Sequence, residues 1–372
     1  MGTLKKGLGS LVLLLSGPVM IAVTVLASFF PAQVEAWYSR GLYPWLASGL
    51  AQLFAFPFPS AEVLALVLLL VVLVRLVVGV AKLFHKTEVP WYRRWRIGAL
   101  TVIKFLSGAV ALFLFLWGLN YQRLSWGQNN GWTVRGGSVA QLEQLATSLE
   151  TQASRFRREL PQTPDGLSLA LGGQNWDSSA VFRRIAVVYA RSGQTNPLLR
   201  LTPSNPARPL WGSSIFSQLG IAGIFIPFTG EPLVNCGPGG PMVAFDAAHE
   251  MSHERGWARE DEANFLSFYV LTTSGEPDLE YAGTQAALMY VLNALEKIDP
   301  AQERALALHL DKGIRRDWQA YFSYWQKFEG PVEKVAQGVN DAYLKAQGQK
   351  EGIRSYGLMV DLLLAYTNRS SH

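Results

Sequence analysis

The stretch His249-Glu250-Met251-Ser252-His253 carries two imidazoles and a carboxylate at a spacing that chemistry can use. On a helix, residues four apart share a face about one turn apart, so His249 and His253 can direct ring nitrogens at one metal ion. Glu250 then stands beside the open metal position. A Zn²⁺ ion held there acidifies a bound water while Glu250 takes its proton, which gives a hydrolytic nucleophile without Ser or Cys. With 5 His in 372 residues, chance predicts roughly 0.003 such patterns in the chain. The competing reading is an exposed helix with solvated histidines.

A catalytic zinc site needs a third protein ligand. Gly256 is suited to ending the first helix, and Glu260-Asp261-Glu262-Ala263-Asn264 follows it. If Glu260 binds the metal, Asn264 lies one turn on and can hold a ligating histidine by hydrogen bonding. Glu262 projects roughly 200° around the helix from Glu260, so only one of the two reaches the ion. Glu260 is the expected ligand, and Glu262 and Asp261 suit an acidic helix start. The expected set is one Zn²⁺ on His249, His253 and Glu260, with Glu250 as general base.

What positions this motif is read from the rest of the chain. The composition, 49% hydrophobic and 16% charged, is more apolar than a soluble protein needs. The excess lies near the N-terminus, where residues 7–30, 60–84 and 98–119 form apolar runs long enough to cross a bilayer. The alternative for the first run is a signal peptide, but two further runs favour a retained anchor. Arg75 and Lys104 lie toward one basic connection and can snorkel to it. Lys5 and Lys6 precede the first run, and Lys82, Lys86, Arg93, Arg94 and Arg96 crowd the second connection, whereas the first holds only Arg40. That bias predicts a cytoplasmic N-terminus and places everything after Tyr121 on the far side of the membrane. Trp37, Tyr38, Tyr43 and Trp45 suit an interfacial belt there, or packing. The segment from Leu46 to Phe56 suits a position along the membrane surface.

Trp117-Gly118-Leu119-Asn120-Tyr121-Gln122-Arg123 leads out of the third run and marks a boundary between an anchor, 1–121, and a second domain, 122–372. Within the second domain, apolar periodicity predicts helices from Val139 to about Leu160, over 178–191, from about Pro241, and at Tyr281 to Leu295, Gln302 to His309, Trp318 to Phe328, Val332 to Leu344 and Leu358 to Tyr366. Ile221 to Phe228 reads as a strand, with Pro227 favouring a sheet edge. Such an edge serves either as a structural hairpin or as a place for an extended substrate to add a strand. The fold expected is α+β and helix-dominated, a zincin-like metallopeptidase domain preceded by three transmembrane helices.

The net charge of +5 is mild and dispersed, so no nucleic-acid partner is expected. Cys236, the one cysteine, excludes intrachain disulfides and Cys-rich zinc sites, and reads as a small buried hydrophobe. Arg354 and Tyr356 in the Ser355-Tyr356-Gly357 loop are possible stabilisers of a tetrahedral oxyanion, or packing and capping residues.

Taken together, the apolar runs, Trp117-Gly118-Leu119-Asn120-Tyr121-x-Arg123, Pro227-Phe228-Thr229-Gly230-Glu231, the His249 motif running into Glu260–Asn264, and Ser355-Tyr356-Gly357 resemble an uncharacterised bacterial membrane family, domain of unknown function 3810. The metal motif is similar to that of gluzincin-like peptidases, in which an E-x-x-A-[DN] helix gives the third ligand. The resemblance implies His249, His253 and Glu260 as ligands and Glu250 as base, with Asn264 where an aspartate is common. The family name itself asserts no activity; the leading reading is a multi-pass, membrane-anchored zinc endopeptidase that acts on protein or peptide substrates at the outer side of the bacterial cytoplasmic membrane. The alternative is a non-catalytic zinc module that senses or scaffolds envelope partners. An intramembrane peptidase is excluded by the charges that follow the motif, from Glu254 to Glu262.

Overall fold

The computed structural model describes residues 2–81, 90–163, 165–167 and 177–369. Helices dominate it, and three short strands form one sheet. Among the described residues, two helices are long and apolar enough to cross a membrane, Leu8–Ala27 and Trp91–Leu116. They pack on each other through small side chains. The Gly17 N–H donates to Ser107 Oγ at 2.9 Å, and the Ser107 hydroxyl donates to Leu14 O at 2.9 Å. A Cβ on Gly17 would lie 2.9 Å from Ser107 O, so only glycine permits that approach.

Of the three expected spans, the middle one is thus not among the helices that meet the criterion. Its described part is a 22-residue helix, Ser60–Ala81, and residues 82–84 of the expected span lie outside the described residues. The expected basic connection is covered only in part for the same reason, since Lys82 and Lys86 lie outside them as well. The third span starts earlier than hydropathy suggested, at Trp91, because Arg93, Arg94 and Arg96 occupy its first turns without ending it.

The segment between the first and second apolar runs is helical and partly packed into the protein. Wide π-type turns, Val34–Leu42, run directly into the helix Tyr43–Leu53. The four aromatics expected there divide into two pairs. Trp37 and Trp45 are 77% and 80% exposed, while Tyr38 and Tyr43 are buried, at 8% and 2%. The Tyr38 hydroxyl donates to Phe115 O at 2.6 Å, and burial holds its proton on.

Strand β1 (Arg208–Pro209), β2 (Gly223–Ile226) and β3 (Glu231–Val234) form a sheet of order β1-β3-β2, with β2 antiparallel and β1 parallel to β3. The expected strand is therefore shorter than its apolar run and does lie at an edge. Pro227 falls just past it, in the turn that Gly230 completes with φ 67°. β3 was hidden from hydropathy because Pro232 interrupts a four-residue strand that is buried on both sides. Glu231, at its start, accepts the Ser60 and Ala61 N–H groups at 2.8 and 2.7 Å and pairs with Arg208. The turn motif thus caps the first turn of the apolar helix Ser60–Ala81.

The main core is built where the motif helix Gly240–Glu254, the acidic helix Glu260–Thr272 and the helix Pro277–Glu296 meet the helices Val139–Glu159 and Ser178–Thr195. Four helix starts fall one to four residues before the periodic positions, with prolines in their first turn at Pro241, Pro277, Pro300 and Pro331. A buried triad, Arg157 with Asp317 at 2.7 Å and the Tyr281 hydroxyl donating to Asp317 at 2.7 Å, ties the last helices to this core. Residues 352–358, expected as a loop, form a 3₁₀ helix before the final helix Met359–Arg369.

Candidate metal centre

The motif helix begins at Gly240, which like its cap Gly239 has a positive φ, and buries almost its whole length. Its end is a Schellman cap. Gly256, at φ 79°, donates its N–H to His253 O at 2.8 Å, and Trp257 N–H reaches Ser252 O at 3.2 Å. This reversal swings the Trp257 carbonyl back onto the helix, where it accepts from His253 Nδ1 at 2.7 Å. The chain re-enters a helix at Glu260, and Asn264, one turn later, meets His249 Nδ1 at 2.7 Å through Oδ1. Both imidazoles are therefore held on Nδ1 by an oxygen acceptor, which leaves each Nε2 to face inward.

There the two Nε2 atoms converge on one carboxylate oxygen. Glu260 Oε2 lies 3.1 Å from His249 Nε2 and 3.5 Å from His253 Nε2. All three donor atoms lie within 4.8 Å of one another, and all three side chains are buried. Ligand bonds of about 2.1 Å in tetrahedral array put donors ~3.4 Å apart, so the observed separations suit one divalent ion. Burial lowers the His249 pKa, opposed by Glu260. For His253 burial is the largest single effect and pulls the same way, but the Glu260 charge and hydrogen bond, the Glu250 charge and the Trp257 carbonyl together outweigh it and raise the pKa to about 9. Glu260 is held well below the usual range by the two histidines, against the effect of burial. A cation entering such a set releases protons.

Glu250 is buried beside the cluster, and its Oε2 has no hydrogen-bond partner among the described residues. Strand β2 presses on it: a Cβ on Gly223 would sit 2.6 Å from Glu250 Oε1, and the Phe225 N–H donates to the carboxylate. Burial, first of several causes, pushes Glu250 up to about 8. Glu262 turns away and accepts the Trp126 N–H at 2.6 Å.

The remaining expected residues lie elsewhere. Arg354 is exposed and pairs with Glu351 at 3.1 Å. The Tyr356 side chain lies outside the described residues. Cys236 is half-buried, donates to Val234 O at 3.6 Å, and burial pushes its thiol up to about 11, so it is an inert packing group.

Several site residues carry no motif that would reveal them. The Tyr290 hydroxyl accepts from Asn264 Nδ2 at 3.2 Å, and Gln349 accepts the Glu260 N–H at 3.3 Å. Tyr343 bonds the Tyr121 hydroxyl at 3.1 Å; burial, with the Glu260 charge behind it, pushes its pKa up to about 12. Its hydroxyl is a protonated donor near the cluster. The exit segment, which reads in sequence as a boundary, grips the motif helix. Trp117 Nε1 donates to His253 O at 3.2 Å, the Tyr43 hydroxyl donates to Glu254 O at 2.9 Å, and Arg123 joins Glu35 to Gly256 O while lying 3.6 Å over the Trp257 ring.

Compared with known proteins, residues 38–364 match the family described as Protein of unknown function (DUF3810). No curated protein and no solved structure matches the chain.

Proposed function

The chain belongs to that family of unknown function, and we propose that it is a membrane-anchored zinc metallopeptidase that hydrolyses peptide bonds of extracytoplasmic proteins or peptides. The observation that carries this reading is the convergence of His249 Nε2, His253 Nε2 and Glu260 Oε2 beside a buried carboxylate with an unpartnered oxygen. A His₂Glu donor set with a nearby acid is a hydrolytic combination, and the fixed Nδ1 partners suit ligands rather than solvated histidines.

Zn²⁺ held by these three residues would supply Lewis-acid chemistry at a peptide carbonyl and at water. Glu250 takes the proton from the attacking water on its unpartnered Oε2 and delivers it to the leaving amine. The Phe225 N–H steadies the other side of that carboxylate, and Gly223 leaves it room. Tyr343 is the donor we assign to the developing oxyanion. The edge of β2 that does not pair with β3 can take an extended substrate as an added strand.

In this reading the helices Leu8–Ala27, Ser60–Ala81 and Trp91–Leu116 all cross the membrane, the N-terminus is cytoplasmic, and the zincin-like domain faces outward. A reporter fused after residue 369 that is active only in the cytoplasm would overturn that orientation.

The chemistry is tested on the full chain in detergent by zinc content and peptide cleavage, with wild type beside Glu250→Gln and His253→Ala. Glu250→Gln keeps one equivalent of zinc and loses on the order of 10²- to 10⁴-fold in rate. His253→Ala loses the metal. Zinc-loaded wild type that cleaves nothing, with Glu250→Gln behaving identically in cells, leaves a non-catalytic metal module as the reading.

A further inference from the structure

Asp246 stands one helical turn before Glu250 on the motif helix, so the two carboxylates share a face, with Cβ atoms about 6 Å apart. Asp246 is half-buried, and its Oδ2 is shielded from solvent with no hydrogen-bond partner. Among the described residues no cation offsets its charge: burial is the single cause that pushes its carboxyl up, to about 7. Its surroundings come from three other elements. Cys236 approaches from the loop before the motif helix, Tyr290 from the helix Pro277–Glu296 and Tyr321 from the helix Lys312–Gln326, each within reach of its field. These neighbours are neutral, and none of them makes a hydrogen bond to Asp246 Oδ2.

A structural role would give this carboxylate an N–H, a hydroxyl or an arginine, as Asp317 has in Arg157 and Tyr281. Asp246 has none of these among the described residues. A buried carboxylate without a partner is unfavourable, and it becomes favourable when a donor with positive charge arrives. It does not belong to the metal set, since His249, His253 and Glu260 already converge on one point.

We propose that Asp246 binds a cationic group of the substrate, an ammonium or guanidinium, next to the peptide bond on which Glu250 acts. This rests on the peptidase reading above and names the substrate class for the same site. A separation of about 6 Å is less than two residues of extended chain, so the cation belongs to a residue adjoining the scissile bond. It is either a Lys or Arg side chain or the free α-amine of a terminal residue.

The test uses the zinc-loaded full chain in detergent and short fluorescent peptides with one central Lys or Arg. Matched probes carry Nε-acetyl-lysine or norleucine instead, and each probe has a free or an acetylated N-terminus. Binding is read by anisotropy and cleavage by mass spectrometry. Wild type binds the Lys and Arg peptides about ten-fold or more tightly than the neutral ones. Asp246→Asn brings that ratio within about two-fold, and Asp246→Glu, which keeps the charge, restores part of it. Zinc content and thermal unfolding verify that both variants are folded. Discrimination that follows the free N-terminus instead of the central residue identifies the α-amine as the cation. Equal binding of all probes by wild type, or an unchanged ratio in Asp246→Asn, overturns the proposal. Binding does not require turnover, so discrimination without cleavage defeats the peptidase reading alone. Cleavage without discrimination defeats Asp246 alone.

Discussion

The His253 ring and the Trp257 carbonyl are joined at 2.7 Å across the reversal that ends the motif helix, so the cap of the helix also orients a candidate ligand. Gly256 makes this possible. Its φ of 79° is a conformation other residues resist, and a Cβ there would meet the Tyr43 ring at 2.9 Å. Gly256→Ala is therefore expected to lower both melting temperature and zinc affinity. A variant that loses stability yet binds zinc at wild-type strength, by competition with a chelator, would separate the cap from the site.

The other histidine has its own support. Asn264→Ala removes the Oδ1 acceptor from His249 Nδ1 and the donor to Tyr290. Zinc affinity should fall roughly 10- to 100-fold with the ligands themselves intact. Asn264→Asp should retain or raise it. Isothermal titration with Zn²⁺ would distinguish these outcomes, and equal affinities in all three proteins would remove Asn264 from the site.

Gly223 offers a way to disturb Glu250 without touching the ligands. The added Cβ of Gly223→Ala meets the far end of a flexible side chain, 2.6 Å from Oε1, so the carboxylate shifts while the fold is kept. The expected result is full zinc content, near-normal melting, and a drop in kcat that approaches the effect of Glu250→Gln. An unchanged kcat would mean that Glu250 does not need its present position.

Asp246 makes a prediction about stability against pH. Its folded pKa, about 7, is raised from 3.8 by burial, so the protonated form favours the fold. That contribution is complete below about pH 4 and is lost as pH rises through about 7. Asp246→Asn keeps the neutral state at every pH. Its melting temperature should exceed that of wild type by a few degrees at pH 8, and the gap should close toward pH 4. Glu250, Cys236, Tyr290 and Tyr321, which surround the group, titrate in both proteins and largely cancel in the comparison. A gap that does not depend on pH would show that Asp246 has a partner in solution.

The part of the chain that carries the candidate metal centre is not expected to fold alone when cut at residue 122. Cutting there removes Trp117 from His253 O, Tyr43 from Glu254 O, and Glu35 from Arg123. Arg123, 3% exposed, would be left as a buried cation without its anion, which costs about 3–5 kcal/mol. A fragment 122–372 is expected to be aggregated or to melt far below the full chain. A soluble, monomeric, zinc-binding fragment would refute this.

These contacts mark where sequence stops being legible. Spacing alone brings His249 to His253 and Glu260 to Asn264, because a single helical period places each pair on one face. The same arithmetic separates Glu260 from Glu262, which indeed diverge to the cluster and to Trp126. Partners that approach from distant elements have no such period. Gly223, Tyr290, Tyr343 and Gln349 reach the site across long intervals of chain, and nothing local distinguishes them. Tyr43 shows the ambiguity most clearly: amphipathic rings near a membrane suit both an interface and a core, and Trp45, two residues on, takes the other choice.

Glu231 sets a height. Its carboxylate holds the first turn of the helix Ser60–Ala81, and Ile226 of the edge strand pairs with Glu231 itself. From Ile226 to Gly223, where the strand meets Glu250, is three residue steps, or about 10 Å of strand. If Ser60 lies at the outer face of a bilayer, as the proposed orientation has it, the candidate metal centre sits within the depth of the headgroups and the first water layers above them. In the proposed reading the protein would be a surface trimmer: it would reach the emerging stubs of proteins that themselves sit in the membrane, and a chain folded well clear of the lipid would pass over it uncut. Spacers of increasing length between a membrane helix and a cleavable bond would measure that ceiling.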